Sequence, residues 1–487
     1  MMIVSKQFIG LLPLLILMLN SIFLFIFISF KKDLNLIKNL SIIGFLLSFI
    51  SLFLIKNNIP INIGTILSIN FFSILYFSIF LLVGLCSSIF FSDHKKKCVK
   101  NPENFYLLIN LSIIGSMFAI ISNHMISMFV GMELMSLPML ALSGYFINEK
   151  TSIESALKYL VLSTLSSCFL LFGMALIYCF SGHLNFFYFN ELSIFNFYHN
   201  NKVILFSWCF ILTGFGIKTA IFPFHLWSPN IYKGISFPSL LFFSTISKIV
   251  LFIILINFSM FFPKKFFYDL FLIIQIFSFF SIVLGSIMAL FEKNIRKLIA
   301  YSSIAYFGSL LITIITVFNS KYALIAFGIN IINYIFSNIV FLGALNIISA
   351  IDKNHYHNNN FFYKGLFWRN PILAMLITVS IFSFSGIPFT IGFFGKFYLF
   401  LLIIQQKLWL IGLSLLLGST LGMFYYLRIL VNIFSKKNIF NETFLLSKSS
   451  ISNTWMFTFS GILILTLTIM ILFFGIYPNF LINILSI

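Results

Sequence analysis

The chain has 487 residues, of which 60% are hydrophobic and 8% charged, where an ordinary soluble domain carries about 25% charged residues. That balance excludes a soluble globular domain. The net charge of +19 does not indicate a nucleic-acid binder, because the lysines fall in short loops between apolar runs, where they set orientation and meet anionic headgroups.

In chain order, the apolar runs predict an all-α polytopic membrane protein of about fourteen helices. Their spans lie near 8–30, 37–55, 72–92, 106–121, 123–146, 153–180 and 203–229, then 236–259, 268–290, 296–318, 322–350, 371–406, 408–434 and 454–475. The first run is too long for a signal-peptide core and lacks a small-residue cleavage site, so it reads as a retained helix. Lysine and arginine are unevenly shared between alternate loops, eighteen after odd-numbered helices and six after even-numbered ones. The odd loops are therefore expected on the cytoplasmic side and both termini in the periplasm.

Two spans carry helix breakers. The seventh, GFGIKTAIFPFHLWSP, holds Pro223 and Pro229; the twelfth, FSGIPFTIGFFGKF, holds Gly386, Pro388, Gly392 and Gly395. Proline removes a backbone donor and clashes with the preceding turn. Unwound backbone at membrane depth persists only where protein or water satisfies it. Matching broken segments five helices apart predict two inverted five-helix repeats, at 106–260 and 261–435. Helices one to three (1–105) precede them and a C-terminal helix (436–487) follows.

Only eleven carboxylates occur in the chain, and Glu133, in FVGMELMSLPML, is the one far from any loop. Lys218, Lys248 and Lys396 also sit deep inside apolar runs, where a central charge costs about 2.5–3.5 kcal/mol on insertion scales. The alternative for Glu133 is a static ion pair, and for each lysine a charge neutralising a buried acid or a helix end. Three lysines against one buried carboxylate leave an excess, which favours a proton or cation pathway. Lys158, four residues after Glu154, fits either a surface pair or a place in the pathway. His225, beyond the proline break, is a candidate proton carrier; His124 reads as interfacial and Arg428 as an anchor near a helix end. The five cysteines show no C-x-x-C or metal-ligand spacing, and no phosphate- or dinucleotide-binding glycine motif occurs.

The run GFGIKTAIFPFHLWSPNIYKG, the lysine of STISKIVLF, NIRKLIAYSSIAYFG, SGIPFTIGFFGKFY and the glutamate of FVGMELMSLP resemble the antiporter-like subunits of respiratory complex I and of multi-subunit cation/proton antiporters. FYLLIN, SIESALKYLVLS, YKGLFWRNPILA and YYLRI are most similar to the branch serving bacterial NADH–quinone oxidoreductase. The resemblance implies a proton-translocating membrane subunit in the bacterial inner membrane, partnered by other antiporter-like and small membrane subunits. It implies no cofactor on this chain: NADH, FMN, iron–sulfur clusters and quinone would be handled elsewhere in the complex. It assigns the proton pathway to Glu133, Lys218, Lys248 and Lys396, with entry from the cytoplasm towards Lys218 and Lys248 and exit by way of Lys396. A sodium/proton antiporter subunit and a scaffold without its own pathway are the rival readings. Three positions depart from the family's pattern: Tyr306 where a histidine is common, Asn230 where an aspartate is usual, and Lys233 where a glutamine or acid is usual. Tyrosine, with an ordinary pKa near 10, is a poor proton carrier at neutral pH.

Overall fold

The computed structural model describes residues 2–30, 32–93, 101–146, 149–186, 201–261, 264–318, 320, 322–351, 364–436 and 453–486. Lys31, Lys95, Lys96, Lys97, Lys100, Lys321, Lys353, Lys437, Lys448 and Cys98, used in the loop and cysteine arguments above, lie outside them. Twelve apolar helical spans among the described residues are long enough to cross a membrane, one of them (Phe237–Met260) made of two helices, and Leu205–Thr219, Pro371–Ser385 and Ile391–Gln406 are shorter apolar helices.

The helices in order are α1 (Met2–Phe30), α2 (Leu34–Ile55), α3 (Phe71–Asp93), α4 (Asn104–Ile121), α5 (Met125–Ser143), α6 (Lys150–Ser181) and α7 (Asn201–Thr219). There follow α8 (Ser228–Gly234), α9 (Phe237–Ser244), α10 (Ile246–Phe261), α11 (Lys264–Phe291), α12 (Ile295–Thr316) and α13 (Tyr322–Ile351). The last six are α14 (Leu366–Arg369), α15 (Pro371–Ser385), α16 (Ile391–Gln406), α17 (Trp409–Phe434), α18 (Phe459–Ile476) and α19 (Asn479–Leu485).

A small antiparallel hairpin, β1 (Ile61–Ile63) and β2 (Leu67–Ile69), joins α2 to α3 and pairs Ile61 with Ile69. It was not anticipated, because three-residue strands leave too short an alternation to read. Beside it His124 caps α5, its Nδ1 accepting from the Ile126 N–H. Partial burial lowers the imidazole's pKa and so favours the neutral ring that this acceptor role needs.

The chain forms two compact units, one of Met1–Ser88, Lys96–Trp227 and Gly234–Ile274, the other of Ile89–Lys95, Ser228–Lys233 and Gln275–Ile487. In the first unit α4 packs along α5 and α6 along α7. With lipid as apolar as any core, such pairs depend on close backbone approach. Gly131 provides it: a Cβ there would lie 2.6 Å from the Ala119 backbone nitrogen. That contact fixes the stretch of α5 bearing Glu133. In the second unit α13 is central, packing against α12, α15, α16, α18 and α19, and its span is nearly all buried.

Candidate functional site

The first unit joins Glu133 to Lys218. The Lys218 Nζ lies 2.6 Å from the Glu133 Oε1, with the lysine side chain 7% exposed and the glutamate 27%. The other carboxylate oxygen accepts from the Ser136 hydroxyl at 2.9 Å. Pro138, inside the same helix, lacks the N–H that would bond the Leu134 carbonyl, so the backbone beside the carboxylate is also polar.

Lys218 holds its position because α7 stops one residue later. Helix ends leave carbonyls unbonded, and here local groups take them up: the Trp227 indole N–H donates to the Ile217 carbonyl at 3.0 Å and the Ile221 N–H to the Gly216 carbonyl at 3.1 Å. Ala220 turns into the left-handed region with φ 59°. The break therefore begins before Pro223, where the proline pattern had placed it, and Pro229 lies in the first turn of α8. An ammonium in the last turn of a helix meets the negative end of its dipole.

Lys248 is 2% exposed, and its helix is not continuous as expected. α9 ends at Ser244 and α10 starts at Ile246, with the backbone off-helix at Thr245. The Thr245 hydroxyl returns to the Leu241 carbonyl at 2.6 Å, the pattern by which serine and threonine bend helices. Lys248 therefore stands in the first turn of α10, where the dipole's positive end opposes an ammonium.

Lys158 is not brought to this pair. Its ammonium bonds Glu154 on an outward face of α6, the two side chains being 40% and 62% exposed. Its neighbour Tyr159 points inward instead, edge-on to Phe243 at 5.3 Å. His225 is buried in the segment between α7 and α8, its ring 5.9 Å from that of Phe222.

In the second unit the long twelfth span is divided as anticipated. α15 ends at Ser385, capped by Gly386 with φ 77°, and α16 begins at Ile391. Gly392 and Gly395 lie within α16 and not in the unwound stretch. Lys396, in the second turn of α16, reaches back across the break to donate to the Ser385 carbonyl. Tyr306 bonds the Asn330 carbonyl at 2.7 Å and accepts from the Asn333 amide at 3.1 Å. Of the other two departures, Asn230 and Lys233 are exposed, and the Lys233 carbonyl accepts from Arg296 at 3.0 Å.

Ser136, Thr245 and Tyr159 escaped sequence reasoning. Ser136 had a signal in its i+3 spacing from Glu133, and Thr245 in the polar run STIS ahead of Lys248. Tyr159 had none beyond its place next to Lys158.

Lysines set at helix interruptions, one of them paired with a part-buried glutamate, define a class: a helical membrane subunit that moves protons. Residues 122–422 match the family described as NADH:quinone oxidoreductase/Mrp antiporter, TM. The whole chain is 40% identical to NADH-quinone oxidoreductase subunit N of Buchnera aphidicola subsp. Schizaphis graminum, covering 99% of that protein. A chain of respiratory complex I from Thermus thermophilus superposes with a TM-score of 0.79 at 23% identity, over 97% of this chain and 98% of that one. A chain of the Mrp complex from Dietzia sp. DQ12-45-1b gives 0.84 at 16% identity, over 98% and 96%. This chain belongs to the family of NADH:quinone oxidoreductase and Mrp antiporter membrane subunits.

Proposed function

We propose that this chain is the proton-translocating membrane-arm subunit of an NADH–quinone oxidoreductase, with Glu133, Lys218, Lys248 and Lys396 as its proton-bearing residues. Full-length identity to subunit N of another such enzyme favours this assignment over the antiporter branch. The observation that carries the mechanism is the 2.6 Å Lys218–Glu133 pair beside the end of α7.

Lys218 holds its proton in apolar surroundings because the carboxylate offsets the cost of desolvating an ammonium. Neutralising or withdrawing the Glu133 charge removes that offset, and the proton moves on. Lys248 meets an opposing helix dipole and a bend in its own span, so it passes a proton more readily than it keeps one. Lys396, held by the carbonyl end of α15, serves the release side. His225 is auxiliary in this reading, and Lys158, in its surface pair with Glu154, lies off the pathway.

The redox groups of the enzyme, NADH, FMN, iron–sulfur clusters and quinone, sit on other chains. The partners are other antiporter-like and small membrane subunits. The setting is the bacterial inner membrane, with both termini periplasmic. To test the assignment, the tagged chain is extracted gently and run on a native gel stained for NADH dehydrogenase activity. Co-migration with a very large active band is expected. A smaller band without activity, under conditions that keep complex I intact, favours the antiporter reading. Glu133→Gln then separates pump from scaffold: a pump loses proton translocation in a normally abundant complex, whereas a scaffold loses the complex.

A further inference from the structure

We infer that Asn330 and Asn333 are positioning residues for Lys396, clamping both halves of the broken span so that the lysine keeps its reach to Ser385. The inference rests on reading Lys396 as a proton carrier. The two asparagines stand one turn apart on α13 and are 2% and 1% exposed. Asparagine is a poor residue for a helix interior, and a buried amide is costly unless bonded. Both of these are bonded, and mostly to other helices.

The Asn330 Nδ2 donates to the Gly395 carbonyl at 3.0 Å, the residue before Lys396, and to Ala326 at 2.8 Å. This amide grips α16. Asn333 grips the last turn of α15: its Oδ1 accepts from the Ser383 hydroxyl, and its Nδ2 reaches the Ser383 carbonyl at 3.5 Å. Ser337, one turn further along α13, donates to the Ser383 hydroxyl at 2.9 Å. Tyr306 braces the pair from α12, donating to the Asn330 carbonyl and accepting from Asn333.

The close approach is built in. A Cβ on Gly395 would stand 2.5 Å from the Asn330 Oδ1, so glycine is what allows the amide to reach that turn. The Lys396 ammonium crosses the same break to Ser385. The residue before the lysine and the last turn of α15, which carries the acceptor, are thus each held from α13, and releasing either amide changes where the ammonium can go.

The test uses the intact enzyme complex reconstituted in liposomes, with Asn330→Ala, Asn333→Ala, Tyr306→Phe and Tyr306→His, and Lys396→Met as reference. Two quantities are read: protons translocated per NADH oxidised, and amide hydrogen exchange over residues 383–396 against 71–93 as control. Each alanine variant is expected to raise exchange over 383–396 about tenfold, the factor for roughly one lost hydrogen bond, with the control unchanged. Protons per NADH fall towards the Lys396→Met value. Tyr306→Phe gives the same changes to a smaller degree, and Tyr306→His, which restores a donor, reverses them.

Wild-type exchange and wild-type proton yield in assembled alanine variants overturn the inference. Should those variants not assemble, Tyr306→Phe decides, and its matching wild type on both readouts is equally adverse. Failure of the underlying reading looks different: Lys396→Met would then pump normally whatever the amides do.

Discussion

The two interrupted spans solve one problem in opposite ways. In the first unit the lysine precedes the interruption, in the last turn of α7, and its partner is a carboxylate from another helix. In the second unit the lysine follows the interruption, in α16, and its partner is a neutral backbone carbonyl at the end of α15. A carboxylate supplies a full counter-charge that can be switched off; a helix end supplies about half a charge that cannot. Lys218 therefore depends on the state of another residue, while Lys396 depends on the shape of its own span. One is gated by charge and the other by geometry.

The contrast has a direct thermodynamic signature. Lys218→Met strands the Glu133 carboxylate, and breaking a buried pair in this way costs about 3–5 kcal/mol. Because Glu133 is 27% exposed, the lower end, about 3 kcal/mol, is expected in thermal unfolding of the purified complex. Adding Glu133→Gln recovers most of the loss, since a neutral pair leaves no uncompensated charge. Equal instability of the single and double variants would remove the charge-gated half of the comparison.

Lys396→Met gives up a hydrogen bond but also relieves the desolvation of an ammonium. Its net effect on stability is expected within about 1 kcal/mol, while proton translocation is abolished. A loss as large as that of Lys218→Met would mean that the second lysine, too, compensates a charge. The smallest effect belongs to Lys158→Ala, whose exposed pair with Glu154 is screened by solvent. It should shift stability by no more than about 0.5 kcal/mol and leave proton yield unchanged, and a large loss of yield would extend the charge-gated region to α6.

Much of this was legible in the residues. Charges inside apolar runs identify themselves, because so little else in such runs is polar, and proline and glycine mark interruptions through backbone chemistry alone. The division of the twelfth span near Gly386 was readable for that reason. The bend at Thr245 was not, since it arises from hydroxyls returning to carbonyls, and serine and threonine do this in many straight helices. Asn330 and Asn333 were hidden by composition: in a chain rich in asparagine no single one carries weight until its neighbours are known. The Glu133–Lys218 partnership spans 85 residues, and no local pattern encodes contacts of that range.

Arg428 has a consequence for how the protein is made. Its guanidinium donates to the carbonyls of Leu290 and Glu292, each at 2.6 Å, and so closes the end of α11 from α17. Many helices end on a glycine or asparagine close at hand, so the end is complete once that stretch is synthesised. Here the closing group arrives 138 residues after Leu290. Until the ribosome has delivered α17, the carbonyls at the end of α11 must remain in contact with water. A chain truncated before residue 428 would carry every residue of α11 yet lack the group that bonds these carbonyls.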